Sequence, residues 1–137
     1  FFTKGENVKY YGYGPYESYS DKHLCTYLDE FNTTVSDMYE PYIKPQENGS
    51  HFGTRYVETE NIRVSSDTPF SFSALHYTQE ELTEKKHNFE LEKCDDTVLC
   101  IDYKQNGIGQ NSCGPLTQEE YRFDESEFEF KIRIEIK

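Results

Sequence analysis

Cationic residues are scarce in this sequence. Its 137 residues include 14 Lys and Arg against 26 Asp and Glu, which leaves a formal net charge of -12. Binding to a nucleic-acid backbone requires clustered cations that displace condensed counterions. The composition therefore excludes nucleic acid as a partner, and it disfavours an anionic membrane surface for the same reason.

Long apolar runs and an N-terminal leader are also missing. No window approaches the roughly 18 consecutive apolar residues that a membrane-spanning helix needs. The chain opens at Phe1 without Met, and without the basic and apolar segments of a signal peptide. We therefore expect a processed product or an excised piece of a larger protein, with neither a membrane span nor a leader.

Tryptophan is absent, and Met38 and Ala74 are the only residues of their types. Leu, Ile, Val and Phe amount to 29 residues, close to the roughly 20% of a chain below which disorder is expected. Ten Phe and twelve Tyr offset this deficit, because each ring can bury about 150–250 Å². The mixture predicts a folded chain made mostly of β-strands.

Cysteines with metal-binding spacing are lacking as well. Cys25, Cys94, Cys100 and Cys113 include no Cys-x-x-Cys pair, so a structural zinc site has little support. Reduced, mostly buried thiols are the favoured interpretation. Two disulfides are the alternative if the chain is secreted.

Period-two alternation is clearest at the end of the chain. Apolar residues at every second position from Phe128 to Ile136 alternate with charged ones, which predicts a half-buried strand over residues 128–137. A nearly continuous apolar run predicts a central strand over residues 97–103. Further strands are predicted over residues 8–13, 55–57, 62–64 and 69–77.

One short helix is predicted. Thr78 and Glu81 fit a capping box, and Lys85 and Lys86 complement the negative end of the helix dipole. Residues 21–42 show no clear pattern and are expected to be irregular with a short turn. About six short strands separated by turns are typical of a small β-sandwich, or of half of a large one.

No segment carries a recognisable catalytic motif. The carboxylate pairs Glu80-Glu81, Asp95-Asp96 and Glu119-Glu120 lie beside turns or a helix start, where solvated charge is the ordinary interpretation. The four His lack the spacing of metal ligands. Cys113 lies in a loop without a nearby His, so a cysteine nucleophile is a weak alternative.

Two loops look specialised. Residues 10–19 place five Tyr around two Gly and one Pro. Such rings either stack on sugar faces or cover a polar core, and the second interpretation is favoured. Residues 45–49 form a rigid turn with three hydrogen-bonding side chains, which we expect to join neighbouring loops.

These loops together resemble one family. Residues 14–22 are similar to the GPxExYxDR stretch of the large bacterial beta-galactosidases, the family 2 glycoside hydrolases. Residues 42–49 and 53–55 resemble their PYxxPQENG and Gly-x-Arg segments, residues 70–87 resemble FSxxxYTxxxLxxxxH, and residues 102–115 resemble DxxxxGxG…SWGP. The four motifs occur in the family's order. Their structural positions in this sequence are Gly14, Pro15, Glu17, Tyr19, Asp21, Pro45, Gln46, Glu47, Asn48 and Arg55.

The resemblance implies that residues 1–137 are the C-terminal part of a beta-galactosidase β-sandwich domain, with no second domain. The implied fold is an all-β antiparallel sandwich of the galactose mutarotase-like supersandwich type, about half of it present, with one short helix. The intact enzyme would hydrolyse terminal β-D-galactosides such as lactose with retention, using two glutamates on a TIM barrel that has no counterpart here. The chain alone is therefore expected to be inactive.

The resemblance also implies a rim for the sugar site. Some family members place a Trp in the SWGP loop, lining the side of the pocket that receives the leaving sugar. Cys113 occupies that position, so ring stacking worth about 1 kcal/mol is lost there. Gln110, Asn111 or a Tyr of another loop is the expected replacement. Lys22 stands where the family usually has Arg, so a bidentate contact becomes a point-charge contact.

Partners and location follow from the same resemblance. The partners implied are the remainder of the beta-galactosidase chain, with its TIM barrel and the upstream half of the sandwich, and further copies in a homo-oligomer. A cytoplasmic location is implied. No catalytic residue, metal ligand or cofactor is expected in this chain, while the parent enzyme would use Mg with Na or K.

Two other functions stay open from the sequence. The first is a stand-alone galactose- or carbohydrate-binding module that uses the Tyr residues of positions 10–19. The second is an interaction domain that completes a sandwich supplied by another chain, as a small subunit would.

Half of a large sandwich should leave strand edges or an apolar face uncovered. We therefore expect the isolated chain to self-associate through such an edge, with an apparent mass in sedimentation that rises with concentration. A monodisperse monomer at high concentration would count against the half-sandwich interpretation.

Overall fold

The computed structural model describes residues 1–109 and 115–137, which form one antiparallel sheet of seven strands. The elements are β1 (Phe2–Thr3), β2 (Asn7–Gly14), β3 (Tyr27–Thr34), β4 (His51–Glu58), β5 (Ile62–Leu75), α1 (Gln79–Glu84), β6 (Thr97–Asp102) and β7 (Arg133–Ile136). Short 3-10 turns lie at Ser36–Met38, Asn88–Glu90 and Glu119–Tyr121. No described helix is long and apolar enough to cross a bilayer.

The sheet is organised around the long strand β5. Its order is β1-β6-β5-β4-β2-β3, and β7 pairs with β5 outside this path. The first part of β5 pairs with β7 and the last part with β6, while β4 lies along its other side. Pro69 lies between those two stretches, which suits a residue that cannot donate a ladder hydrogen bond.

The predicted fold class is confirmed. All strand pairs are antiparallel, and α1, with six residues, is the only α-helix among the described residues. The sheet is open rather than closed into a barrel, as a single layer of a β-sandwich is. The strands predicted over residues 62–64 and 69–77 join into the single strand β5.

The prediction that residues 21–42 are irregular is wrong. Tyr27–Thr34 forms β3, which pairs with β2 residue by residue from Tyr27 opposite Gly14 to Thr34 opposite Asn7. Alternation in a sequence reports burial of one face. Because every residue of this edge strand is exposed or only partly buried, its sequence carries no alternating pattern.

The C-terminal strand is shorter and less buried than its pattern predicts. Only Arg133–Ile136 pairs with β5, and Ile134 and Ile136 are 44% and 85% exposed. Phe130 is the member of the predicted face that packs on the core, with its ring 6.2 Å from that of Phe70. The described residues supply no layer over the remaining apolar face.

The start of α1 agrees with the predicted cap. Thr78 accepts a hydrogen bond of 3.1 Å from the Glu81 amide. The Glu81 carboxylate accepts from the Glu92 amide at 2.8 Å and lies 3.4 Å from the Lys85 ammonium group. The hydrogen bond from the Glu92 amide to the Glu81 carboxylate therefore attaches the segment after the helix to α1, instead of completing the predicted capping box.

The core follows from alternate residues of the central strands. Register places Tyr10 of β2 opposite Val57 of β4, and Val57 opposite Val64 of β5. Further along β5 and β6 the same cluster continues with Phe70, Phe72, Ala74 and Leu99, against which Val35, Met38 and Leu82 pack. Alternate residues of these strands therefore form most of the apolar core, and the helix α1 adds only Leu82 to it.

A buried histidine lies inside this core. His51 is 2% exposed, and its ring centroid lies 4.6 Å from that of Tyr10 and 5.3 Å from that of Phe72. Its Nδ1 is 3.1 Å from the carbonyl oxygen of Tyr13, to which it donates. Burial lowers the pKa of His51 to about 4, against the smaller opposing effects of this hydrogen bond and of the Glu17 charge.

His51 should make stability depend on pH. The unfolded state binds a proton near pH 6.5 whereas the folded state resists it until about pH 4, so stability is lost as pH falls through that window, by about 3 kcal/mol. Urea unfolding at pH 7, 6 and 5, followed by circular dichroism, measures the loss. In His51→Phe the loss over this range should be smaller, whereas His87→Gln, at an exposed position, should keep the wild-type dependence. Equal pH dependence in all three proteins would contradict the assignment.

Candidate functional site

A buried carboxylate joins the two specialised loops. Glu17 is 4% exposed, and its Oε1 accepts from the Lys22 ammonium group at 2.6 Å and from the Tyr42 hydroxyl. Its Oε2 accepts from the Gly49 amide at 3.0 Å and from the Tyr19 hydroxyl at 3.3 Å. We call this set the Glu17 cluster. It holds the loop after β2 against the segment that precedes β4.

The Glu17 carboxylate is ionised in this environment. Burial alone would raise its pKa, but hydrogen bonds from Lys22, Tyr42 and the Gly49 amide, with the Lys22 charge, lower the pKa below its ordinary value. Lys22 contacts one carboxylate oxygen through a single ammonium group. This is the point-charge contact available to lysine, where an arginine could bind both oxygens.

The turn at residues 45–49 is held from within. The Asn48 side chain accepts from the Glu40 amide at 3.0 Å and donates to the Gln46 carbonyl at 2.8 Å. Gly49 follows with φ of +69°, and a Cβ there would lie 2.5 Å from the Met38 carbonyl oxygen. Both the backbone conformation and the close approach therefore require glycine. The turn does join neighbouring loops, as its side chains suggested.

Asp21 connects the first loop to the segment after β6. Its Oδ1 accepts from the Ile108 amide at 3.0 Å and its Oδ2 from the Gly109 amide at 2.9 Å. Paired hydrogen bonds between the backbones of Tyr19 and Lys22, of 2.9 and 3.0 Å, close the tight turn that presents Asp21. The position of residues 107–109 therefore depends on the Glu17 cluster.

Gln105 bridges two carboxylates beside these loops. Its Nε2 donates to Asp102 at 3.0 Å and to Glu47 at 3.3 Å, while its Oε1 accepts from the Ser50 hydroxyl at 3.1 Å. An open cavity of about 570 Å³ lies here, which we call the polar cavity. Its lining is polar for the most part and includes Gln46, Glu47, Asp102, Lys104, Gln105 and Asn106.

The two carboxyl groups of the polar cavity are harder to ionise than in water. Burial raises the pKa of Asp102, with the Gln105 hydrogen bond opposing it, and burial followed by the Asp102 charge raises the pKa of Glu47. Both carboxyl groups accept a hydrogen bond from the side-chain amide of Gln105. This arrangement suits hydrogen bonding to a polar ligand rather than nucleophilic attack.

The sequence-predicted residues divide into three groups. Glu17, Tyr19, Asp21 and residues 45–48 come together around the Glu17 cluster and the polar cavity, and Gly14 ends β2 where a Cβ would collide with the Tyr10 hydroxyl. Pro15 follows at an exposed position, and Arg55 is exposed and donates to the Asp67 carbonyl, outside the cavity lining. The predicted rim residues Gln110, Asn111 and Cys113 lie outside the described residues.

Sequence reasoning missed the bridging role of Gln105. A single Gln in a loop carries no periodic or motif pattern, and its partners Glu47 and Ser50 are distant in sequence. Only pairing of β4, β5 and β6 brings them together. Among the described residues no group of three or more His, Cys, Asp or Glu side chains could hold a metal ion.

The Tyr residues of positions 10–19 do not form a sugar-stacking surface. Tyr10 and Tyr19 are buried, at 0% and 6% exposure, and Tyr13 stacks on Phe52 with centroids 5.6 Å apart. Tyr16 is exposed. Rings committed to the core leave no continuous platform, so the carbohydrate-binding-module alternative is not favoured.

Comparison with known proteins supports the family resemblance noted for these loops. The sequence profile of the beta-galactosidase small chain family matches residues 2–134. The chain belongs to this family. It is 55% identical over 135 residues to a beta-galactosidase of Actinobacillus pleuropneumoniae and 49% identical over 133 residues to one of Staphylococcus xylosus, covering 98% and 94% of the chain.

The small chain is only a part of these relatives. It spans about 13% of the length of both proteins. A beta-galactosidase of Streptococcus thermophilus is 38% identical over 109 residues, which cover 75% of the chain and 11% of that protein. Other regions of a parent beta-galactosidase are therefore implied.

Loss of the Glu17 charge should loosen the loops of this small chain. In Glu17→Gln, a side-chain NH₂ would face donors, so we expect a loss of unfolding free energy of about 1–3 kcal/mol by urea denaturation at pH 7. Because the folded pKa of Glu17 is lowered, its contribution is present above the unfolded carboxyl pKa and is lost as pH falls through the folded pKa. The difference between the two proteins should therefore shrink in acid.

The matched control is Glu30→Gln, at a solvent-exposed position of β3 that contacts Lys9 and Tyr56. Little change is expected there, since exposed ion pairs contribute little. If Glu17→Gln were as stable as Glu30→Gln at pH 7, the Glu17 cluster would not hold the loops.

Proposed function

We propose that this chain is the C-terminal β-sandwich portion of a retaining beta-galactosidase that hydrolyses terminal β-D-galactosides such as lactose. In this proposal the chain supplies scaffold, a subunit interface and one rim of the sugar site. It contributes no catalytic glutamate, since the acid/base and nucleophile pair belongs to a TIM barrel elsewhere in the parent. About half of a supersandwich is present, and the upstream half completes it.

The observation that carries the rim proposal is the tethering of the segment on both sides of residues 110–114. Before it, the Gly109 amide donates to Asp21; after it, the Thr117 hydroxyl donates to the Gly109 carbonyl at 2.9 Å. Arg122 then donates to the Thr117 carbonyl at 2.7 Å. Gly109 and Thr117, described residues on either side of positions 110–114, are thereby held together, which supports the proposal for Gln110, Asn111 and Cys113.

Such a base can position groups at a sugar hydroxyl. Substrate-positioning groups raise the rate by holding reactants in productive geometry, and small displacements of a remote group can be costly. Asp21 is a positioning residue in this proposal, because it acts through the backbone of residues 108–109. Gln110, Asn111 and Cys113 are the residues we propose to contact the leaving sugar.

The rest of the proposal concerns the cellular location, the oligomeric state and the metal ions of the parent protein. We place the protein in the cytoplasm, in keeping with the free thiols of the described Cys25, Cys94 and Cys100, and we propose that the parent is a homo-oligomer. We also propose that the parent uses Mg with Na or K.

Asp21→Ala in the complete parent protein tests the rim. Without the carboxylate the Ile108 and Gly109 amides lose their acceptor, so kcat/KM for o-nitrophenyl β-D-galactopyranoside should fall roughly tenfold, or about 1.4 kcal/mol. Asp29→Ala is the control, because Asp29 is an exposed residue of β3 whose carboxylate accepts from its neighbour Glu30. Equal activity of the two variants would contradict the rim proposal.

A separate experiment tests whether catalysis resides in the rest of the parent protein. The purified 137-residue chain should show no hydrolysis of the same galactoside, whereas the complete parent should. Turnover that copurifies with the isolated chain would overturn the assignment of catalysis to the rest of the parent.

A further inference from the structure

A second cavity lies beside the polar cavity and differs from it in chemistry. It has a volume of about 480 Å³, shares Lys104, Gln105 and Phe123 with the polar cavity, and continues between the sheet and the segment around residue 121. We call it the aromatic cavity. Its ring-bearing lining comprises His23, Phe52, Phe70, Tyr103, Tyr121 and Phe123.

The rings of this lining are held in place by other rings. Phe52 stacks on Tyr13, with an interplanar angle of 24°, and lies 5.3 Å from His23 between centroids. Tyr103 contacts Phe123 edge to face at 5.8 Å. Rings fixed in this way lose little freedom on binding a flat ligand, which favours stacking.

Several hydrogen-bonding groups of the same lining have unused capacity. His23 contacts the Tyr19 carbonyl through Nδ1, and its Nε2 has no partner among the described residues. Arg122 donates through Nε to Thr117, and its two terminal nitrogens have no described partner. The Tyr121 hydroxyl likewise has none within residues 1–109 and 115–137. Rings with a few polar groups converging between them characterise sites for small ligands.

From this lining we infer a second sugar site, in which the aromatic cavity binds a neutral pyranoside. A sugar ring presents an apolar face to aromatic rings and hydroxyl oxygens to unpaired donors. A purely apolar ligand would cover the partly buried Tyr121 hydroxyl and His23 Nε2 without pairing them, at a cost. In the lining, Lys104 is paired with Glu125 and the charge of Glu120 offsets that of Arg122, so no excess positive charge favours an anion. The volume of about 480 Å³ lies in the usual range for ligand sites, roughly 300–1,000 Å³.

This site goes beyond the proposed rim function. The rim proposal concerns residues 110–113, whereas Phe52 and Tyr121 line the aromatic cavity and not the polar one. Binding there would therefore hold galactosides near the enzyme without taking part in hydrolysis. Its loss should leave the chemistry of the catalytic site unchanged.

Calorimetric titration of the complete parent protein with the non-hydrolysable methyl 1-thio-β-D-galactopyranoside tests the inference. Two binding events per chain are expected. Phe52→Ala and, separately, Tyr121→Phe should weaken one of them at least tenfold, with kcat/KM for o-nitrophenyl β-D-galactopyranoside unchanged. Phe89→Ala, at an exposed ring stacked on His87, is the control and should bind like the wild type.

Three results would overturn the inference. These are a single binding event in the wild type, a second event that neither variant weakens, or a structure of the parent in which its own polypeptide fills the aromatic cavity. The Tyr121 hydroxyl has no hydrogen-bond partner among the described residues, so Tyr121→Phe keeps the test valid should Phe52→Ala fold poorly. None of these outcomes bears on the rim, which the Asp21→Ala variant tests through hydrolysis.

Discussion

The loops of this chain depend on one buried carboxylate. The Glu17 carboxylate has lost most of its contact with water, and the Lys22 ammonium group with three further donors compensates for that loss. A charge buried in this way is unfavourable unless its partners are in place, so the loop after β2 and the turn before β4 are ordered together. Asp21 then extends the same order to residues 108–109.

The sheet and the loops have separate roles. The sheet is a stable platform in which apolar residues of β2, β4, β5 and β6 form one cluster, while the polar groups of interest lie in the connections at its margin. Functional side chains are commonly carried on loops above a rigid scaffold. Here Gln105 links the two parts, because it follows β6 directly and hydrogen-bonds to the turn at Glu47 and to Ser50.

Prediction from sequence succeeded where burial leaves a period of two. Strands β2, β4, β5 and β6 have one face in the core, and all four were detected. The bounds of β2 and β6 were predicted closely, whereas β4 was predicted only over residues 55–57 and β5 as two separate strands. Strand β3 was missed because an edge strand with two accessible faces needs no alternation. The C-terminal strand was predicted to be longer than it is. Its sequence alternates as if a further layer covered Ile134 and Ile136, but both side chains are exposed. Such a layer fits the family relationship, in which the chain is about 13% of its relatives.

The sequence by itself determined the all-β class, the α1 cap at Thr78 and the family, because these depend on local periodicity, local hydrogen bonding and the order of short motifs. It also placed Glu17, Asp21 and Asn48 among the residues that matter. Only the tertiary structure decided which of them meet. Glu17 and Gly49, or Asp21 and Gly109, are 32 and 88 positions apart. Contacts over such separations come from strand pairing and loop closure, which no local pattern encodes.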